Sequence, residues 1–372
     1  MKPTTLSAAH IGDTSTSPDG TTLPSEHPPV PARKLGVLLV NLGTPDEPTA
    51  PAVKSYLREF LSDTRIVDLP RAIWLPILHG VILNVRPRMT AKAYASIWRS
   101  NPSESPLRYF TRRQAEDLST RLASENIIVD WAMRYGSPAV SDRLEALQAQ
   151  GCDRIFIAPL YPQYSATTTG SVYDAVFDAM RNLRWQPAVR MAPAFHDAPD
   201  YITALAAVTR RRIQSLDFDP EAVIISFHGL PERYFKSGDP YHCHCQKTAR
   251  LLREEMGWSE DFAPIAFQSK FGREKWLEPA TTDIIDALAA DGVKKLCVVT
   301  PGFTSDCIET LEEIGIAARE QFEEAGGQNF DAIPCLNDEP EMIDFLVRFT
   351  RTELSGWLEE EISEPALNKR YA

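Results

Sequence analysis

His228 stands at the end of an apolar run, Ala222-Val223-Ile224-Ile225-Ser226-Phe227-His228-Gly229-Leu230-Pro231. Its β-branched start fits a strand buried on both faces, and Gly229 and Pro231 force a turn directly after the imidazole. A histidine in that place can exchange a proton near neutral pH; the plainer alternative is a histidine that only hydrogen-bonds a turn. A second candidate is Asp306-Cys307-Ile308-Glu309-Thr310-Leu311-Glu312-Glu313. In a helix starting near Asp306, i+3 and i+4 spacing puts Asp306, Glu309 and Glu313 on one face, a carboxylate row suited to metal handling or proton relay. The same residues also read as a helix cap, with Asp306 at N-cap, Glu309 at N3 and Glu313 in solvent. His242-Cys243-His244-Cys245 offers four metal-binding side chains in succession, yet a structural zinc site needs a second ligand pair farther along the chain. None is evident, so a solvated loop after Gly238-Asp239-Pro240-Tyr241 is the expectation.

The elements that must position these groups follow from alternation. Val37–Val40 runs into Asn41-Leu42-Gly43-Thr44-Pro45, Ile127–Met133 into Arg134-Tyr135-Gly136, and Arg154–Leu160 into Tyr161-Pro162-Gln163-Tyr164-Ser165. Helical periodicity fills the gaps, as in Pro106–Glu125 and Val140–Gln150, which predicts a parallel sheet with helices on both faces. The pattern then repeats. Val223–Ser226 answers the first strand, Pro264–Phe267 with Gln268-Ser269-Lys270 the second, and Lys295–Val299 with Thr300-Pro301-Gly302-Phe303-Thr304 the third. The expected fold is α/β: two similar Rossmann-like lobes, each with a parallel sheet, and a ligand cleft between them. The lobes are expected at 34–200 and 201–354, with a tail at 355–372.

A formal net charge of −12 disfavours nucleic acid, whose phosphates need basic surface. No G-x-G-x-x-G follows the first strand of either lobe, and no P-loop is present, which disfavours dinucleotide and P-loop nucleotide sites. Residues 1–33 are rich in Ser, Thr, Pro and Gly, without the apolar centre of a signal peptide; they read as a disordered extension of a cytoplasmic chain with free thiols. Residues 72–85 are the most apolar stretch, too short and too broken by Pro76 and Gly80 to span a bilayer. They read either as core or as a lip over an apolar pocket that dips into a membrane interface, flanked by Arg71, Arg86 and Arg88.

Six motifs occurring in register, Asn41–Pro45, Tyr161–Ser165 with Thr168-Thr169-Gly170, Ser226–Pro231, Gly238–Tyr241, Gln268–Lys270, and Phe303–Asp306 with Ile308–Leu311, resemble the ferrochelatase family from about Lys34 to about Leu354. The resemblance implies an enzyme that inserts ferrous iron into protoporphyrin IX to form protohaem, the last step of haem biosynthesis. It assigns His228 as the proton acceptor, Glu309 as the essential glutamate across the macrocycle, and Asp306 and Glu313 as its acidic companions; His228 and Glu309 are the residues that would meet the metal. It places Leu42, Arg86, Tyr94, Ser105, Arg134 and Tyr135 against the porphyrin and its propionates, and Tyr161, Trp276 and Phe303 as pocket aromatics. It makes 72–88 the porphyrin-gripping lip, with 72–85 the part that would touch a membrane from the cytoplasmic side. The implied partners are porphyrin and ferrous iron.

The chemistry is consistent with such a set. Metallation removes two N–H protons from a nearly flat ring, and a cleft that favours a bent ring lowers the barrier. Carboxylates hold iron weakly enough to release it, and guanidinium forks suit propionates. Two departures stand out: Cys307 occupies a position where many relatives carry histidine, and Ala166 with no cysteine after Cys335 leaves no arrangement for the [2Fe–2S] cluster that some relatives hold. No cofactor is expected, iron being a substrate. The rival readings are a coproporphyrin III ferrochelatase, a cobalt-inserting chelatase of partly reduced tetrapyrroles, a non-catalytic tetrapyrrole carrier, and a periplasmic-type binding protein, which conflicts with the absent signal peptide. The apolar lip argues against the cobalt enzyme. A carrier would have no use for the carboxylate row.

Overall fold

The two most deeply buried apolar runs become the centres of two parallel sheets. In the computed structural model, which describes residues 34–272 and 274–358, the first sheet contains β1 (Lys34–Gly43), β2 (Ile127–Tyr135), β3 (Cys152–Pro159) and β4 (Ala188–Met191), in the order β2-β1-β3-β4. The second contains β5 (Ala222–His228), β6 (Ile265–Gln268), β7 (Lys295–Val299) and β8 (Asn329–Ala332), in the order β6-β5-β7-β8. The two orders are the same, so the repeat read from the sequence is a repeat of topology. β4 and β8 add to the expected strands; Ala-Val-Arg-Met and Asn-Phe-Asp-Ala are only four residues long and each is interrupted by a charge, too short a pattern to announce a strand. The expected extension 1–33 and residues 359–372 of the expected tail lie outside the described residues.

Strand ends converge tightly. β1 and β2 run in register to Gly43 opposite Tyr135, and a Cβ at Gly43, whose φ is 116°, would lie 1.9 Å from the Tyr135 carbonyl oxygen. Only glycine permits that approach.

The lobes are not independent. Phe156 of the first sheet, Phe227 of the second, and Tyr201 and Phe345 from helices Pro199–Gln214 and Pro340–Glu353 belong to one continuous buried core. Each such aromatic contributes about 1.5–3 kcal/mol relative to exposure. Buried hydrogen bonds add cross-links: Gln163 Nε2 donates to Thr248 Oγ1 and the Pro301 carbonyl, and Gln114 Nε2 to Ser305 Oγ and the Asn337 carbonyl. Asp239 accepts from Ser165 Oγ and the Ala166 amide with one oxygen and from the Tyr241 amide with the other. The Gly-Asp-Pro-Tyr motif is therefore an inter-lobe tie.

Residues 71–97 form a bent helical arm: Arg71–Ile77, one π-wound turn at Leu78–Ile82, and Leu83–Ile97. Leu78 and Leu83 bury against Val53, Tyr56 and Leu57. Leu69, Ile73, Ile77, Val81, Val85 and Met89, spaced four apart, are exposed. One face of this stretch is therefore core, and the other is exposed apolar surface.

Candidate active site

A cavity of about 560 Å³ opens at the carboxyl ends of the strands, between the lobes and beneath the arm. That volume lies within the ~300–1,000 Å³ of small-molecule sites, and its position follows the rule for open α/β sheets. Leu42, Arg86, Tyr94, Ser105 and Tyr161 line it from the first lobe, and His228, Trp276, Phe303, Glu309 and Glu313 from the second.

His228 ends β5. Its Nδ1 lies 2.6 Å from the Gly229 carbonyl oxygen, which can only accept, so Nδ1 carries the proton and Nε2 the lone pair of the neutral ring. Tyr241 Oη donates to the His228 carbonyl at 3.0 Å. The Gly229 amide donates to the Gln268 carbonyl at 2.8 Å, and a Cβ there would lie 2.5 Å from that oxygen and 3.1 Å from the Trp276 ring. The turn after the histidine is therefore closed to any side chain.

Glu309 begins a helix that follows β7 and winds with π geometry over Glu309–Ala318. Such windings recur at functional sites. β5 and β7 are neighbours, so His228 and Glu309 both approach the cavity from the second lobe. The expected helix start at Asp306 is corrected. Asp306 is 5% exposed and does not line the cavity; its Oδ1 accepts from Thr310 Oγ1 and the Cys335 amide, and its Oδ2 from Asn337 Nδ2. Glu312 takes its place on the cavity wall. Burial, then the Glu313 and Glu309 charges, raise the Glu312 carboxyl above the usual range.

Cys307 lines the cavity as a buried thiol, pushed well up by burial and then by the Glu309 charge, so it remains protonated at neutral pH. Ser105 caps helix Pro106–Arg121 by accepting from the Arg108 amide while it lines the cavity. Tyr161 Oη and Trp276 Nε1 are buried without a protein partner, two polar atoms available to a ligand. Burial pushes the Tyr161 phenol far up, so it remains a donor.

Two expected porphyrin residues lie away from the wall. Arg134 Nη2 pairs with Asp63 at 2.7 Å and its Nε donates to Ser171, while Tyr135 Oη donates to the same Asp63 oxygen. Burial would raise Asp63, but hydrogen bonds from Ser171, the Arg65 amide and Tyr135, with the Arg134 charge, hold it below the usual carboxylate range. Arg134 and Tyr135 do not line the cavity because both are engaged by this carboxylate behind it. The 242–245 run is likewise corrected: it is the first turn of helix Tyr241–Met256, where Cys245 is buried, Cys243 is exposed, His244 stacks on His196 at 3.6 Å, and His242 packs between Phe235 and Phe267. Among the described residues no group of three or more His, Cys, Asp or Glu side chains is gathered as a metal cage.

The ferrochelatase family profile matches residues 34–354. The chain belongs to the ferrochelatase family. The ferrochelatase of Rhizobium meliloti (strain 1021) is 52% identical over 335 residues, covering 90% of this chain and 99% of that protein. That of Allorhizobium ampelinum is 52% identical over 337 residues, covering 90% and 98%. The solved structure of SirB from Bacillus subtilis with Fe3+ superposes with a TM-score of 0.53 at 11% identity, over 87% of this chain and 97% of that one, and establishes the shared two-lobed fold. Membership identifies the chain as an iron-inserting enzyme of haem synthesis. It also accounts for a site that has no nucleotide motif and carries its carboxylates on one lobe. Among the described residues no helix is long and apolar enough to cross a membrane.

Proposed function

We propose that this ferrochelatase inserts Fe2+ into a two-propionate porphyrin of the protoporphyrin IX type. The observation that carries the choice is the cavity's charge count: among its described lining residues only Arg86 and Lys270 are cations. Two cations suit two propionates, whereas coproporphyrin III brings four into a site already acidic at Glu309, Glu312 and Glu313. In this reading His228 Nε2 accepts the pyrrole protons, and Glu309 receives the iron as it sheds water and passes it to the ring nitrogens. Two N–H bonds break, four Fe–N bonds form, and two protons leave. No cofactor is consumed. The test is anaerobic metallation of protoporphyrin IX and coproporphyrin III side by side. A higher kcat/KM for coproporphyrin III overturns the choice, and a Glu309→Gln variant that still turns over overturns the role of Glu309. Porphyrin binding by wild type without metallation would leave a carrier.

The arm supports a second, finer proposal: peripheral contact of 72–85 with a lipid surface. The exposed stripe from Leu69 to Met89 is accompanied by exposed Arg71 and Arg88, an amphipathic pattern suited to an anionic interface. Co-sedimentation with anionic vesicles that Ile73→Glu with Val81→Glu abolishes is the expected result; wild type that stays in the supernatant rejects the contact.

A further inference from the structure

The resemblance makes Glu313 an acidic companion of Glu309, and in the structure both of its oxygens are occupied. Oε1 accepts the Ser269 amide at 2.6 Å, and Oε2 accepts Ser269 Oγ at 2.6 Å and Gln268 Nε2 at 3.2 Å. Gln268 is itself fixed: its Nε2 also donates to the Glu309 carbonyl at 2.9 Å, and its Oε1 accepts from Ser226 Oγ. Ser269 has a φ of 63°, the left-handed region that residues other than glycine and asparagine seldom occupy. A carboxylate that receives both the amide and the hydroxyl of one residue is a strong reason for that residue to remain there.

The turn held this way carries two parts of the cavity mouth. Lys270 and Phe271 line the cavity directly after Ser269. The Phe271 ring packs on Trp276 at 5.0 Å and lies under the Arg86 guanidinium of the arm at 5.6 Å. The far side of the turn is anchored separately, by the Glu232 amide to the Lys275 carbonyl and the Leu277 amide to the Leu230 carbonyl. Glu313 is therefore the attachment at the near side, and releasing it frees the backbone that aims Lys270.

We propose that Glu313 is a positioning residue: it locks Ser269 in its left-handed conformation so that Lys270 and Phe271 meet the porphyrin edge. This rests on the porphyrin reading of the cavity. A relay or ligand role for Glu313 would instead act on iron.

Steady-state kinetics of Glu313→Gln and Ser269→Ala, singly and together, separates the two. A glutamine of the same size cannot accept all three donors, and losing charge-assisted bonds of this kind predicts about a tenfold or greater rise in porphyrin KM and Kd. The Fe2+ KM at saturating porphyrin should stay within about twofold. Ser269→Ala should shift the same parameters to a smaller extent, and the double variant should fall short of the sum of the two, since the hydroxyl bond to Glu313 is perturbed in either single variant. A raised Fe2+ KM with unchanged porphyrin Kd, or additive effects in the double variant, overturns the proposal. Porphyrin fluorescence anisotropy reads Kd without turnover. Wild type that binds no porphyrin defeats the parent reading, whereas wild type and Glu313→Gln binding equally defeats only the lock.

Discussion

Asp306 and Asn337 grip each other reciprocally: Asn337 Nδ2 donates to Asp306 Oδ2 at 2.6 Å, and the Asp306 amide donates to Asn337 Oδ1 at 2.8 Å. Asn337 holds this posture at a φ of 47°, with its amide on the Thr304 carbonyl. Asp306 is thus a buried brace that fixes the loop feeding the Glu309 helix. Replacing it with alanine leaves the donors of Asn337, Thr310 and Cys335 without their acceptor, at a cost of about 3 kcal/mol or more. Urea unfolding should show that loss, with the Fe2+ KM of the folded fraction nearly unchanged. A wild-type midpoint together with a large rise in Fe2+ KM would return Asp306 to the metal path.

Arg134→Ala tests whether Arg134 serves the fold or a propionate. The Asp63 carboxylate would keep Ser171 and Tyr135 but lose its charge partner in a site where both side chains are largely buried. Breaking such a pair from one side costs about 2–4 kcal/mol. Stability should fall by that order while porphyrin Kd moves less than about threefold. A propionate contact would give the reverse: Kd up strongly, stability intact.

Gly229→Ala addresses the catalytic turn. The added methyl would lie 2.5 Å from the Gln268 carbonyl oxygen, which is backbone and can move only with the end of β6, and 3.1 Å from the Trp276 ring. The relief available is to move the turn, and His228 moves with it. A misplacement of about 1 Å costs roughly a hundredfold in rate, so kcat should drop by about that factor with a stability loss of ~1–3 kcal/mol. Unchanged kcat would mean that the position of His228 does not limit metallation.

The sequence made the repeat and the cleft legible because buried parallel strands read as continuous β-branched runs, and because their ends carry Gly, Pro and polar residues together. That pattern put His228 at a strand end facing the cleft, and the family resemblance added Glu309, Tyr161 and Trp276, all of which line the cavity. The helix start expected at Asp306 came from assuming α-helical spacing where the helix starts later and winds with π geometry. Arg134 looked like an anion binder because nothing local reveals that Asp63, 71 residues away, already holds it. Ser269 and Gln268 stood inside a recognised motif, yet their purpose depends on a positive φ and a distant carboxylate, neither of which leaves a periodic signal.

The stacked pair His196 and His244 gives the protein a pH-sensitive seam between the lobes. Their rings lie 3.6 Å apart and nearly parallel, and the Tyr164 amide donates to His244 Nδ1. Asp197, Asp239 and Lys247 are the charges that face them. Burial, then the neighbouring His244, pull His196 from 6.5 down to about 4, and burial also lowers His244. Between those values the unfolded chain binds the proton and the native chain does not. The stability from His196 is therefore complete above pH 6.5 and is lost as pH falls toward 4, on the order of 2–3 kcal/mol at the acid end. Unfolding free energies measured from pH 7.5 to 4.5 should decline in wild type and decline less steeply in His196→Phe, where a ring of similar shape stacks without titrating. Parallel curves for the two proteins would mean that His196 binds its proton equally in the folded and unfolded chains, and would remove the seam as a source of acid sensitivity.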